Sequence, residues 1–103
     1  MGFLLDLPHV WLEAHYRDMK PEHWLAQFPL EYVVELHVAG VADDHDLGGP
    51  WIAPTEPSDA MLDFLGHALA RCPRAKAVTF DAFSPSLSVE CLLRSVERIR
   101  KAV

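Results

Sequence analysis

Three short apolar runs, Phe3 to Leu7, Tyr32 to Ala39 and Ala77 to Phe83, alternate with longer segments in which apolar residues recur every three or four positions. Runs that short and that nearly continuous predict strands covered on both faces. Helical character follows the first run over Pro8 to Tyr16. A second helix is predicted from Pro21, because proline suits a first helical position and Glu22 favours the positive end of the helix dipole. Its Trp24, Leu25 and Phe28 fall on one face before Pro29 ends it.

Beyond the second run, Gly48, Gly49, Pro50, Pro54 and Pro57 predict a long loop. Ser58 is placed to cap a third helix, with Met61, Leu62, Leu65, Leu69 and Cys72 as its core stripe and Pro73 as its stop. Ser86 or Ser88 caps the last helix. Its Glu90 and its Arg98, Arg100 and Lys101 each match the dipole, and Leu92, Val96, Ile99 and Val103 keep helical spacing. The order of strand and helix, repeated three times, predicts an α/β fold of parallel strands joined by right-handed crossover helices, in one domain over residues 1–103.

Composition narrows the function classes. Half of the residues are apolar, which is enough for a core, and the net charge of -6 comes from 15 acidic against 9 basic residues. The basic residues form no face outside the Arg94 to Lys101 helix end, so nucleic acid is not an expected partner. Apolar stretches broken by Asp6, Glu35 or Asp81 fall far short of the roughly 20 residues of a membrane span, so no membrane partner is expected. The N-terminus lacks a basic stretch and a small-residue cleavage site, which makes a cytoplasmic location the expectation. Cys72 and Cys91 lie singly in helical patterns and read as reduced core thiols.

Six histidines need an account, and Val33 to Asp46, VVELHVAGVADDHD, supplies part of it. In a strand, Glu35 and His37 share a face, and Asp43, Asp44, His45 and Asp46 follow close enough to fold back over the strand end. Ligands in parallel α/β folds gather at the carboxyl ends of the strands. There the first strand offers Asp6 and His9, the second Glu35, His37, Asp43 and His45, and the third Asp81. Imidazole with carboxylate suits iron, manganese or zinc. The same residues also fit plainer roles: a hydrogen-bonded structural histidine, a solvated ADDHD turn, and carboxylates at Asp6 and Asp81 that cap the helices after them. His15, His23 and His67 read as surface or core histidines, and Trp11, Trp24 and Trp51 as packing residues.

LLDLPH, then PLEYVVELHVAG, then DDHD before a proline-rich loop, then AVTFD resembles the C-terminal part of the multinuclear non-heme iron-dependent oxidases of methanobactin-biosynthesis type. These have a xylose-isomerase-like TIM barrel. The resemblance runs in order over nearly the whole chain, and its strongest piece is Pro29 to Gly40. It implies three βα units of a barrel, with His37, Asp43 and His45 as iron ligands, His9 where the family places an Asn or His ligand, and Asp81 where it has a Glu. Glu35 stays outside that set, as a strand residue deeper in the sheet.

The implied activity is metal-dependent oxidation of a cysteine or similar group in a peptide, using two or three iron ions, with manganese or zinc as alternatives. The implied partners are the peptide substrate and a separate substrate-recognition protein. A closed barrel takes about 250 residues, so three units are expected to self-associate or to rest on the missing N-terminal half-barrel, as a truncated piece would. The alternatives are a non-catalytic half-barrel interaction module and a xylose-isomerase-like isomerase or lyase with a single metal ion.

Overall fold

The computed structural model describes residues 2–44, 49–53, 56–80 and 88–103, with the side chains of 42–44 and 49–53 left aside. Strand β1 (Phe3–Asp6) runs directly into helix α1 (Leu7–Tyr16), and a short helix α2 (Pro21–Leu25) and a 3-10 turn (Leu30–Tyr32) lead to β2 (Val33–Val38). Strands β3 (Gly40–Asp44) and β4 (Gly49–Ala53) come next, then α3 (Asp59–Arg71), β5 (Ala77–Phe80) and α4 (Val89–Ala102). β1, β2 and β5 form a parallel sheet in that order. The α/β alternation read from the sequence is therefore the architecture observed.

The helix ends follow the signals in the sequence. Ser58 accepts a hydrogen bond from the Met61 N–H at 3.1 Å, and Ser88 does the same for Cys91, which selects Ser88 over Ser86 as the cap. Helix α1 closes with Asp18 in the left-handed region (φ 54°), while the Met19 N–H reaches the Ala14 carbonyl at 2.9 Å. This closure satisfies carbonyls that the helix end leaves without partners.

The core lies on one side of the sheet. Leu5, Leu36 and Val38 join Val10 of α1, Met61, Phe64 and Leu65 of α3, and Ile99 of α4 in one buried cluster. On the other side the register sets Leu4, Glu35 and Ala77 in one row and Asp6, His37 and Thr79 in the next. Leu4, Ala77 and Thr79 are exposed, and Asp6, Glu35 and His37 are half-buried. The expectation of strands covered on both faces is thus corrected. An apolar layer over Glu35 and His37 would strip water from groups that need it or a polar partner.

Two further expectations change. The long loop after the second strand contains a two-stranded antiparallel sheet, with Gly40 opposite Ala53 and Asp43 opposite Pro50. A two-stranded sheet consists of edges only, so Pro50 sits where a missing N–H is tolerated. Of the third predicted strand, Ala77–Phe80 form β5, and its residues 81–83 lie outside the described residues. On α4 only Ile99 of the expected stripe is buried, whereas Val96 and Val103 are exposed. Cys72 and Cys91 are free thiols, and burial pushes the Cys72 thiol above its ordinary range, while Cys91 is only half-buried. No helix among the described residues is long and apolar enough to cross a membrane.

An ionic clamp fastens the segment before α3 to α4. Arg98 donates to Glu56 at 2.6 Å, to the Pro57 carbonyl at 2.8 Å and to Asp59 at 2.7 Å, and Arg94 adds a second grip on Glu56 at 3.0 Å. The hydrogen bond from Arg98, helped by Arg94 and opposed by desolvation, holds the Glu56 carboxyl below its ordinary value.

Two predictions follow from this packing. Leu36→Ala empties a fully buried position in the central strand and should cost about 2–5 kcal/mol in urea unfolding, with no loss at all contradicting the placement of the core. A carboxyl depressed in the folded state stabilises above its unfolded pKa, and that stability is lost as pH falls through the folded value. Glu56→Gln should therefore lower stability at neutral pH, and its difference from the parent should vanish in acid, as paired urea melts at the two pH values will read out.

Candidate functional site

Polar side chains collect at the carboxyl ends of β1 and β2, on the sheet face away from the helices. There is no connecting loop between β1 and α1, so Asp6 is at once the last strand residue and the N-cap of the helix. Its Oδ1 accepts the His9 N–H at 3.1 Å and lies 3.1 Å from the His9 Nδ1. The carboxylate thus binds both the backbone and the ring of His9, which is 65% exposed at its side chain. The capping role expected of Asp6 is observed, and it sets His9 beside Asp6 at the mouth of the sheet.

On the adjacent strand His37 is the register partner of Asp6. Its Nε2 lies 2.7 Å from the Glu35 Oε2, with side-chain exposures of 20% for His37 and 35% for Glu35. Strand alternation brings these two groups to one face, and partial burial strengthens a contact that water would weaken in the open. The sequence reading left Glu35 deeper in the sheet and outside the site. Its two-residue spacing from His37 was the signal that could have included it.

After β2 a single residue, Ala39, separates the strand from β3, and β4 packs along α1. The backbone at Asp43 is therefore part of a ribbon that doubles back toward the helix started by Asp6 and His9. The Asp43 side chain, His45 and Asp81 lie outside what is described, so the set of five expected ligands is seen at His9 and His37 only. Among the described residues no group of three His, Cys, Asp or Glu side chains is close enough together to hold a metal ion. The donors that are described are all imidazole nitrogen and carboxylate oxygen, from Asp6, Glu35 and His37 on neighbouring strands and from His9 at the start of α1, and such donors fit iron, manganese or zinc.

The remaining histidines stand apart. His15 and His23 are exposed on their helices, and His67 is half-buried on α3. Trp11 packs edge-on against Phe64 at 5.6 Å, and the Trp24 indole N–H donates to Glu13 at 2.9 Å beneath Arg17, so both serve packing as expected. Trp51 falls among the side chains not described.

Because Asp6 caps α1, Asp6→Ala should lower stability by about 0.5–2 kcal/mol in metal-free buffer, whereas Asp6→Asn, an equally good cap, should stay near the parent. Chemical unfolding of the three proteins measures this. Equal stability of the parent and Asp6→Ala would remove the capping role.

Comparison with known proteins adds one assignment. No curated protein and no solved structure gives a significant match. A family model described as RiPP precursor modification enzyme MbnB/TglH/ChrH matches residues 1–103. It is the kind of enzyme to which the resemblance of LLDLPH, PLEYVVELHVAG and DDHD pointed, and it brings with it a peptide as the substrate class. The match spans the whole sequence, and the chain belongs to the MbnB/TglH/ChrH family of enzymes that modify the precursors of ribosomally made, post-translationally modified peptides.

Proposed function

We propose that the chain supplies part of a multinuclear non-heme iron centre in an oxidase that acts on a cysteine or similar group of a peptide precursor. The observation that carries this reading is the polar group at the carboxyl rim, where Asp6 of β1, in contact with His9 at the start of α1, is the register partner of His37 of β2, in contact with Glu35. His37, Asp43 and His45 would hold metal, with His9 and Asp81 completing the shell of a second ion. Bound there, iron supplies the electron-transfer chemistry that oxidation of a peptide thiol requires.

The chain's own residues have simpler tasks. Asp6 holds His9 at the head of α1 through two contacts to one carboxylate oxygen. The β1–α1 junction has no loop, so that pair cannot drift relative to the sheet. Glu35 fixes the ring of His37. A peptide reaches the row from the sheet face that the helices leave open, where Leu4 and Thr79 are also exposed.

The sheet edges support a partner for this unit. Among the described residues, the outer edges of β1 and β5 pair with no strand. Phe3 and Tyr32 beside β1 are each 45% exposed, and a shallow apolar pocket of about 300 Å³ runs along Phe3, Leu4, Phe28 and Pro29. Unpaired edges with apolar surroundings invite further strands. The proposal is that additional βα units, from a second copy or from another polypeptide, complete a barrel there. A cytoplasmic setting and a separate substrate-recognition protein belong to the same proposal.

Metal analysis of the purified protein, prepared with and without air, tests the centre. More than one equivalent of iron, with His37→Ala retaining well below half of it, is the expected result. A single divalent ion would favour the isomerase or lyase reading. No transition metal in either preparation, and no difference for His37→Ala, would leave the non-catalytic module.

A further inference from the structure

The row that contains His37 has a third member. In register, His37 lies between Asp6 of β1 and Thr79 of β5. Val78 and Phe80, on either side of Thr79 in the strand, pack on the core, so Thr79 faces the same way as His37. Neighbouring strands are about 4.8 Å apart, which sets Thr79 one strand spacing from His37. On the other flank the Asp6 carboxylate already caps α1 and holds His9. Thr79 is exposed, and its hydroxyl has no hydrogen-bond partner among the described residues.

We propose that Thr79 is a substrate-binding residue: its hydroxyl donates a hydrogen bond to the sulfur of a peptide cysteine brought to the rim beside His37. The inference rests on the metal-centre reading above. Strand formation does not account for the hydroxyl, because valine of the same shape suits a strand equally well. The exposed neighbours one row back, Leu4 and Ala77, carry no side-chain donor. A β-branched side chain is stiff about its first torsion, so Thr79 loses little freedom when its hydroxyl engages a ligand. A peptide arriving over the open face of the sheet thus meets, next to His37, a donor that the protein itself does not use.

The test uses the full chain loaded with cobalt, and two end-blocked peptides, Gly-Cys-Gly and Gly-Ala-Gly, as probes in calorimetric titrations. Thr79→Val removes the hydroxyl at constant shape on an exposed position, and should bind the cysteine peptide about 10-fold more weakly than the parent, the loss expected of one hydrogen bond. Thr79→Ser keeps the hydroxyl and should stay within a few-fold of the parent. With the alanine peptide the parent and Thr79→Val should not differ, whereas a merely structural role would weaken both peptides alike. All three proteins should hold the same amount of cobalt.

Equal affinity of the parent and Thr79→Val for the cysteine peptide overturns the inference and leaves the metal-centre reading standing. A cobalt-loaded parent that takes no cysteine peptide does the same. Failure of the parent to bind cobalt, or binding that His37→Ala leaves unchanged, takes down the metal-centre reading and the inference with it. Should Thr79→Val fail to fold, Thr79→Ala with the same two peptides decides the matter.

Discussion

Strand β2 is the constraint on which the rest of the structure depends. It lies between β1 and β5 and, among the described residues, is the only strand of the parallel sheet with partners on both sides. Its Leu36 and Val38 sit on the buried face and its Glu35 and His37 on the half-open one. Slipping the register by one residue would drive a carboxylate and an imidazole into the cluster formed by Phe64, Leu65 and Met61, and would turn two core residues toward solvent. The cost of burying those polar groups without partners fixes the register. The register in turn sets His37 level with Asp6.

That one-sided sheet also explains the surface. Helices α1, α3 and α4 contribute to the core on a single face, while the polar face and the outer edges of β1 and β5 have no covering element among the described residues. In a closed barrel the same geometry is natural, because the outer face of every strand meets helices and the inner face meets the other strands. Val96 and Val103 of α4 are exposed as well.

Much of the fold was legible because the signals were local. Pro21, Ser58 and Ser88 mark helix starts by their own backbone chemistry, and each marks one in the structure. The sequence misled where a property depended on partners distant in the chain. The apolar run from Tyr32 to Ala39 does not say how many of its faces will be covered, and the glycines and prolines at 48–57 mark turns without saying whether the backbone between them pairs. In the site, the spacing of Glu35 and His37 was legible as a shared face. What could not be read was that their side chains would meet, because contact depends on rotamers and on the partial burial that neighbouring strands impose.

The two strand ends differ in how much freedom they leave. At the first, Asp6 ends β1 and caps α1 within one residue, so any change of side chain there alters the helix as well as the rim. At the second, β2 leads through Ala39 into an antiparallel ribbon whose return strand packs along α1. A ribbon of that kind can change length or sequence without disturbing the parallel ladder, since its hydrogen bonds are made within itself. The rigid junction fixes the side chains at its end, while the self-contained ribbon leaves the other end open to change. Asp43 and Asp44 belong to the outgoing strand of the ribbon, whereas Asp6 and His9 are held at the rigid junction.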